Sequence, residues 1–443
     1  MKKVRFLLIA LAIVAMVLAA CAPAAPAAKP AEEAAPAEEA APAEEAAPAE
    51  EAAPAEEAAP AEVAAVKEGD PETACKADEK GCAVIKPGET IKIGMAGPMT
   101  GDYASFGIDI SQGGQIAVMD NPGIGDWTFE LVTEDTQGSP EAGAAVANKW
   151  VTVPNMVAIA GHIFSGETEA AMPVYEKAGF PMLSPSATNP PLTTLGSSVF
   201  NRIAFTDATQ AVDSSKYMFE TLGIKKLAVM HDGGAYGQGL ADLVKEEFAK
   251  LGGEVVDYQA ITPGETDYTA VLSSIAAKAP EAIYYGGYIG EGIVIANQMD
   301  QTGLGDAVLF GCDGTYGIDL IDKAGANAEG AYAASLVPPE SEAEKKFSEQ
   351  YEAEYGTKPG VLSPYTWSGY DVVSALMAKV ADVAFVGPDG NLYVPRTELV
   401  KAVRGMSGVQ GITGDITCNE VGECNTAGPS IYVVKDGEWV NAK

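Results

Sequence analysis

The chain has 443 residues, of which 62 are Asp or Glu and 28 are Lys or Arg, so its formal net charge is −34 at pH 7. A surface of this charge repels the phosphates of nucleic acids and the headgroups of anionic lipids, which excludes both as expected partners. The length exceeds what one hydrophobic core usually holds, so more than one folded lobe is expected.

The N-terminus has the pattern of an export signal. Lys2, Lys3 and Arg5 precede an apolar run over residues 6–20, which has the length of a signal-peptide core and is short for a membrane span. The run ends in small residues before Cys21, which resembles the lipobox of bacterial lipoproteins. Residues 1–20 are therefore predicted to be a lipoprotein signal peptide, and a lipid on Cys21 would anchor the mature chain to a membrane outside the cytoplasm. An ordinary secretory signal is the alternative.

A low-complexity repeat follows the predicted signal. The unit AEEAAP occurs five times back to back over residues 31–60. It contains no large apolar residue for a core, and the proline in every unit blocks a long helix. Residues 21–85 are therefore predicted to be a disordered Ala/Pro/Glu-rich tether that holds the folded part away from the membrane.

Apolar strand patterns alternate with helical patterns from Ile91 onward, which indicates parallel sheets flanked by helices. The first series contains the strands IKIGMAG, FELVTED, VAIAG and FPMLS. The pattern restarts after Asn201, where Asp207 and Gln210 have the spacing of a helix capping box. The second series contains KKLAVMHD, EVVDYQAI, EAIYYGG, AVLFGCD and GAYAAS. The expected fold class is α/β, with two doubly wound parallel-sheet lobes.

The C-terminal block adds helices and then strands, which suggests that the chain returns to each lobe in turn. We assign residues 86–206 and 335–412 to lobe 1, and residues 207–334 and 413–443 to lobe 2. Three connections would then cross between the lobes and form a hinge.

Five cysteines follow Cys21, and in an exported protein disulfides are the default expectation. Cys75 with Cys82, and Cys418 with Cys424, would each close a short loop. Cys312 would remain a free, buried thiol. A zinc site is the alternative, but no C-x-x-C pair or nearby histidine supports it, so no metal is predicted.

Side chains suited to binding a small molecule follow the ends of the predicted strands. Ligands of open parallel sheets lie beyond the carboxyl ends of the strands. The candidates there are Phe106, Ser165, Ser186 and Thr188 in the first series, and Tyr236, Tyr288 and Asp313 in the second. Hydroxyls beside a helix N-terminus suit a carboxylate, and an aspartate among tyrosine rings suits an ammonium group. The combination predicts a site for an α-amino acid caught between two lobes.

Ser165 has two other interpretations. A serine at a helix start is most often an N-cap, and this role is compatible with contacting a ligand. A catalytic nucleophile is not expected, because the sequence has no G-x-S-x-G elbow and places no base beside it. His162 and His231 each lie at a strand end and are expected to be loop residues satisfied by backbone groups.

The sequence resembles the periplasmic leucine/isoleucine/valine-binding proteins, the amino-acid receptors of ABC importers, across Ile91–Val440. The segments that carry the resemblance are IKIGMAGPMTG, AIAGHIFS, MLSPSATNPPLT, VMHDGGAYGQGLA, IYYGGY and FGCDGTYG. The resemblance implies a type I periplasmic binding fold. It also implies that no cofactor is needed.

The same resemblance assigns roles to the candidates. It implies that Ser165, Ser186 and Thr188 hold the ligand carboxylate and that Asp313 takes the ammonium group. Three aromatic residues would wall the pocket: Phe106, Tyr236 and Tyr288. The family usually has glutamate where Asp313 stands, and often tyrosine or tryptophan where Phe106 stands. Phe164 also occupies the place of a family cysteine.

The function expected from these features is solute capture. The protein would act as a monomeric, non-enzymatic receptor that closes over leucine, isoleucine or valine and delivers it to a membrane permease. Receptors for an amide, urea or another small polar metabolite remain alternatives, as does a ligand-sensing subunit of a membrane signalling protein.

Overall fold

The computed structural model describes residues 65–424 and 428–442. The predicted signal peptide, Cys21 and the AEEAAP repeat lie outside the described residues. Within the described part of the chain, no helix is both long enough and apolar enough to cross a membrane.

Nineteen strands and thirteen α-helices make up the described chain. The strands are β1 (Lys67–Glu68), β2 (Cys82–Ile85), β3 (Ile91–Gly97), β4 (Gly123–Ile124), β5 (Trp127–Asp135), β6 (Met156–Ile159), β7 (Met182–Ser184), β8 (Phe200–Arg202), β9 (Lys226–His231), β10 (Glu254–Ala260), β11 (Ala282–Gly286), β12 (Val308–Phe310), β13 (Tyr332–Ser335), β14 (Phe385–Val386), β15 (Leu392–Pro395), β16 (Val409–Gln410), β17 (Asp415–Ile416), β18 (Ser430–Lys435) and β19 (Glu438–Asn441). The helices are α1 (Pro71–Ala77), α2 (Ala104–Asp120), α3 (Pro140–Trp150), α4 (Ser165–Ala178), α5 (Pro191–Thr194), α6 (Asp207–Lys216), α7 (Ala235–Lys250), α8 (Thr269–Ala276), α9 (Ile289–Met299), α10 (Ile318–Ala324), α11 (Glu342–Tyr355), α12 (Thr366–Val383) and α13 (Arg396–Arg404).

Lobe 1 is built on a six-stranded sheet in the order β4-β5-β3-β6-β7-β8. All neighbouring strands are parallel except the short β4, which runs antiparallel to β5. Both faces are covered, because Met95 of β3 packs in one core cluster with Val373 of α12, while Ala96 packs in another with Trp150 of α3. This double burial is why β3 is apolar at every position except Lys92.

Lobe 2 is built on a seven-stranded sheet in the order β10-β9-β11-β12-β13-β18-β19. The first five strands are parallel, and β18 and β19 add an antiparallel edge. Neighbouring residues of β9 again pack on opposite faces: Val229 contacts the cluster of Tyr284, and Met230 the cluster of Tyr285. The type I periplasmic binding fold is thus present, with doubly wound α/β lobes.

The chain crosses between the lobes at three places. The first crossing lies between β8 and α6, and the second between β13 and α11, which packs against α2. The third lies between Cys424 and Ser430, where β18 begins, and includes residues outside the described part. The carboxyl ends of both parallel sheets face the cleft between the lobes, which is where the predicted site residues follow their strands.

The predicted lobe boundary at residue 413 is too early. β17 pairs with β16, and the loop closed by Cys418–Cys424 continues alongside β8, where Glu423 bridges Arg202. Residues 413–424 therefore belong with lobe 1. The sequence pattern suggested otherwise because these short extended segments resemble the strands that follow them.

The predicted tether boundary at residue 85 is also wrong. Residues 67–85 contain β1, α1 and β2, and they join β14 and β15 in a four-stranded sheet of order β1-β14-β15-β2. This sheet contacts α12 and α13 of lobe 1, and a disulfide between Cys75 and Cys82 closes the segment. The folded part therefore begins before residue 70, because pairing with a distant strand stabilises a segment too short to fold alone.

Replacing Ile85 tests this boundary. Ile85 is fully buried under the four-stranded sheet, whereas Val84 on the opposite face is 37% exposed. Ile85→Ala should lower the free energy of unfolding by about 2–5 kcal/mol. Val84→Ala is the matched control and should cost roughly 1 kcal/mol or less. Urea denaturation measures both, and equal small effects would show that residues 65–85 do not fold onto lobe 1.

Candidate functional site

One cavity between the lobes collects six of the seven predicted ligand-binding residues. Its lining comprises Phe106, Phe164, Ser165, Ser186, Tyr236, Tyr288, Asp313, Gly314 and Tyr365. The volume that the centre of a water molecule can occupy in this cavity is only about 10 Å³. The cavity therefore has room for roughly one water molecule. An amino acid can enter only if the lobes or the aromatic rings move apart. Thr188, the seventh predicted residue, is buried but is not among the lining residues.

The lobe 1 side of the cavity contains the first turn of α4. The N-cap is Phe164 rather than Ser165, and Ser165 is the first helical residue. The Phe164 amide donates to Glu167 Oε1 at 2.8 Å, which fixes the entry of the chain into the helix. The amides of the first turn have no partner within the helix, so they and the Ser165 hydroxyl form a site suited to an anion.

Hydrogen bonds between serine side chains and the backbone join the two loops that carry the predicted hydroxyls. Ser186 Oγ donates to the Ile163 carbonyl at 2.7 Å, and the Asn189 amide donates to Ser165 Oγ at 3.3 Å. The Ser165 hydroxyl therefore accepts one bond and keeps its own proton to donate. Thr188 lies beside Asp207, whose amide donates to the Thr188 carbonyl at 3.1 Å. The loops are thus held against each other before any ligand binds.

The lobe 2 side is organised around Asp313. Its Oδ1 accepts hydrogen bonds from Gln210 Nε2 at 2.6 Å and from the Tyr236 hydroxyl. Its Oδ2 accepts one from the Tyr365 hydroxyl at 2.8 Å, and its amide donates to Gln210 Oε1 at 3.0 Å. A carboxylate has about four acceptor positions, so one position, on Oδ2, is still open.

A second buried carboxylate lies near Asp313. Burial raises the pKa of Asp313, and the hydrogen bonds from Tyr236, Gln210 and Tyr365 oppose that rise. Burial and the Asp313 charge together raise the pKa of Asp207 well above its ordinary value. Two carboxylates in one buried region favour a cation between or beside them.

Aromatic rings close the cavity on the remaining sides. Tyr288 stacks on Phe164 with ring centroids 4.0 Å apart, and Tyr236 lies 5.1 Å from Tyr288. Phe106 meets Phe164 edge-on at 5.8 Å. The Phe164–Tyr288 stack joins the two lobes, so the aromatic wall is continuous across the cleft.

The sequence patterns did not indicate three side chains of the cavity region. Gln210 was interpreted as part of a capping box with Asp207, but the N-cap of α6 is Thr206, and the Gln210 side chain binds Asp313 instead. Tyr365 precedes α12 rather than following a strand, so the strand-end rule did not find it. Phe164 was noted only as the replacement of a family cysteine.

No group of three or more His, Cys, Asp or Glu side chains in the described part of the chain could hold a metal ion. The structure forms the two predicted disulfides, Cys75–Cys82 and Cys418–Cys424, and leaves Cys312 free and buried. Cys312 Sγ contacts the Gly287 carbonyl at 3.1 Å, and burial raises its pKa, so it remains a protonated thiol. His162 is also buried, but it bonds the Tyr175 hydroxyl rather than the predicted backbone group.

Two α/β lobes that share an aromatic cavity define a bilobal ligand-binding protein. The sequence profile of the periplasmic binding protein family matches residues 90–435, and the chain belongs to that family. The family consists of solute-binding proteins, which are not enzymes.

Three known proteins similar to this chain are named for binding amino acids or leucine. An amino acid binding protein of Pseudomonas aeruginosa is 37% identical over 238 residues, which are 53% of this chain and 63% of that protein. The leucine-specific-binding protein of Salmonella typhimurium is 29% identical over 76% of this chain and 88% of its own length. The crystal structure of a leucine-binding protein, LivK, from Thermotoga maritima has a TM-score of 0.72 and 27% identity, covering 80% of this chain and 98% of that one.

The buried carboxyl group of Glu167 should make the stability of the folded protein depend on pH. Burial raises its pKa from 4.5 to about 8, so the folded protein holds a proton that the unfolded chain has lost across that window. The contribution of Glu167 to stability is therefore complete below pH 4.5 and is lost as the pH rises towards 8. Glu167→Gln should flatten the fall of Tm across this range.

Glu176, on the same helix, provides the control. Burial acts to raise its pKa, but hydrogen bonds from Ser198 and Ser197 outweigh burial and hold the pKa below its ordinary value. The contribution of Glu176 to stability is present above its pKa in the unfolded chain and is lost only in acid. Glu176→Gln should therefore leave the slope of Tm against pH unchanged between pH 5 and 8. Calorimetric melts at several pH values measure both, and equal slopes for wild type and Glu167→Gln would contradict the assignment.

Proposed function

We propose that the protein is an extracytoplasmic receptor that binds an α-amino acid, with leucine, isoleucine and valine as the first candidates. The observation that carries this proposal is the pairing of opposite chemistries across one cavity. Hydroxyls and free helix amides lie on lobe 1, and a buried carboxylate with an open acceptor position lies on lobe 2. This arrangement fits the two charges of a zwitterion.

The carboxylate of the ligand would meet the first turn of α4. The Ser165 hydroxyl already accepts from the Asn189 amide, so its own proton is available to a carboxylate oxygen. The first-turn amides add donors and the positive end of the helix dipole. The Ser186 hydroxyl donates to the Ile163 carbonyl and would hold the loop before α4 in place. Thr188 lies behind the residues that line the cavity and would act through the adjacent backbone.

The ammonium group of the ligand would meet Asp313. Its Oδ2 accepts only the Tyr365 hydroxyl, which leaves one acceptor position for an N–H donor. Burial and the Asp313 charge raise the pKa of the nearby Asp207, so a cation bound at Asp313 would also favour the ionised form of Asp207. Aspartate is one methylene shorter than glutamate, so the ammonium group on Asp313 would lie closer to the sheet of lobe 2.

The side chain of the ligand would contact the aromatic wall. Asp313 is the only ionisable acid or base among the nine lining residues, apart from tyrosine hydroxyls, so nothing there pairs with a second ligand charge. Phe106, Phe164 and Tyr288 offer apolar faces that suit an aliphatic group. The names of the similar proteins, which specify leucine or amino acids, support the same class.

Closure would link binding to delivery. Several contacts join the lobes around the cavity, among them the Phe164–Tyr288 stack, the Tyr365–Asp313 bond, and a 2.8 Å bond from the Tyr103 hydroxyl to Glu291. A ligand that contacts both lobes stabilises this closed arrangement, and a membrane permease can then recognise it. We further propose that the protein works as a monomer anchored through Cys21 and delivers its ligand to an ABC permease.

Calorimetric titration with leucine and two truncated analogues tests the site. 4-Methylpentanoate lacks the ammonium group and 3-methylbutylamine lacks the carboxylate, so each should bind the protein at least about 100-fold more weakly than leucine. Asp313→Asn should weaken the binding of leucine by a similar factor and leave the affinity for 4-methylpentanoate nearly unchanged. Asp319→Asn, in α10 outside the cavity, makes the same chemical change and should have no effect.

The ligand panel also includes isoleucine, valine, amides and urea. Binding of amides or urea alone would retain the bilobal receptor and replace the amino-acid assignment. Leucine binding that Asp313→Asn does not weaken would contradict the proposed ammonium contact. No binding by any member of the panel would contradict the proposed function.

A further inference from the structure

A fully buried arginine, Arg202, lies behind the loop that carries Ser186 and Thr188. It is the last residue of β8, and its side chain is not exposed to solvent. Its Nη1 donates to the carbonyls of Ala187 at 3.0 Å and Asn189 at 2.7 Å, the two residues that flank Thr188. The guanidinium therefore clamps the backbone on both sides of a predicted ligand-binding residue.

The other side of the guanidinium is bound by Glu423. Arg202 Nε donates to Glu423 Oε2 at 2.9 Å and Nη2 to Oε1 at 2.6 Å, which is the bidentate geometry of a strong arginine–carboxylate pair. The Thr193 hydroxyl also donates to Glu423 Oε1, at 2.7 Å. Glu423 is thus the counter-charge that allows Arg202 to remain buried.

A disulfide loop holds Glu423 in place. Cys418 and Cys424 close the loop, and its backbone pairs with β8: the Arg202 amide donates to the Gly422 carbonyl and the Cys424 amide to the Arg202 carbonyl, both at 2.9 Å. The loop therefore continues the edge of the lobe 1 sheet. Its position, and that of Glu423, follow from the disulfide and from these two bonds.

We propose that Glu423, held by the Cys418–Cys424 loop, is a positioning residue for ligand binding that acts through Arg202 on the segment Ala187–Asn189. The same segment carries a direct lobe-to-lobe contact, because the Asn189 side chain donates to the Ala235 carbonyl at the start of α7. The main-chain amide of Asn189 also donates to Ser165 Oγ. A shift of this segment therefore displaces the proposed carboxylate site and weakens lobe closure together. The proposal rests on the amino-acid function proposed above.

The physical reason lies in the cost of an unpaired buried charge. Without a carboxylate at position 423, the guanidinium loses its counter-charge and moves towards water, which releases the two carbonyls that it holds. Arginine suits this position because its planar fork binds a carboxylate on one edge and backbone oxygens on the other.

The test compares ligand affinity with stability in variants of the two disulfides. Cys418→Ser/Cys424→Ser removes the disulfide that closes the loop behind the ligand segment, and Cys75→Ser/Cys82→Ser removes the disulfide of the N-terminal segment as the matched control. Both should lower Tm. Only the first should raise the Kd for leucine, by about 10- to 100-fold at a temperature where all variants are folded.

Point variants isolate the charge from the covalent loop. Glu423→Gln keeps the shape and loses the charge, and it should raise the Kd about 10-fold or more. Glu423→Asp keeps the charge and should recover part of the affinity. Hydrogen exchange at the amides of Ala187 and Asn189 should be faster in Glu423→Gln than in the wild-type protein. In the Cys75/Cys82 control it should equal that of the wild type. Both comparisons are made in the presence and in the absence of ligand.

The outcomes separate this proposal from the proposed function. If wild-type protein binds no amino acid, the function fails, while the exchange data still report whether Glu423 positions the segment. If wild-type protein binds leucine and Glu423→Gln binds it equally well with unchanged exchange, the positioning role is wrong. A Kd that rises equally in both disulfide variants would show a general loss of structure and would also overturn the proposal.

Discussion

The buried carboxylate of Asp313 is the constraint on which the site depends. A charge removed from water costs several kcal/mol unless hydrogen bonds replace its hydration. Gln210, Tyr236 and Tyr365 supply those bonds from three separate parts of the chain. Because Tyr365 belongs to lobe 1, the requirement to satisfy one lobe 2 residue also joins the lobes, so site formation and closure depend on the same interaction.

The two lobes hold their site residues in different ways. On lobe 1, main-chain bonds and the Arg202 guanidinium fix the loops that contain Ser165 and Ser186. On lobe 2, side chains surround Asp313, and aromatic rings complete the wall. Backbone-held hydroxyls suit the fixed geometry of a carboxylate, whereas rings can adjust to different side chains.

The sequence predicted the parallel sheets because their strands, buried on both faces, are continuous apolar runs. It also predicted most of the cavity, since the carboxyl ends of parallel strands meet at one edge. It could not predict that Gln210 binds Asp313, because the same spacing fits a local cap and the true partner is 103 residues away. The strand β2 was missed for a similar reason: four residues form a strand only when a distant segment, β15, pairs with them.

The folding of residues 67–85 onto lobe 1 has a mechanical consequence. The first strand of the described chain is β1, which pairs with β14, and its Lys67 donates to the Asp382 carbonyl of α12, so the chain enters the folded part on lobe 1. If the N-terminus is held at a surface, lobe 1 is the lobe attached to it, and lobe 2 is connected to that surface only through lobe 1. The Ser165 side of the cavity would then belong to the attached lobe, and the Asp313 side to the lobe that can reorient relative to it.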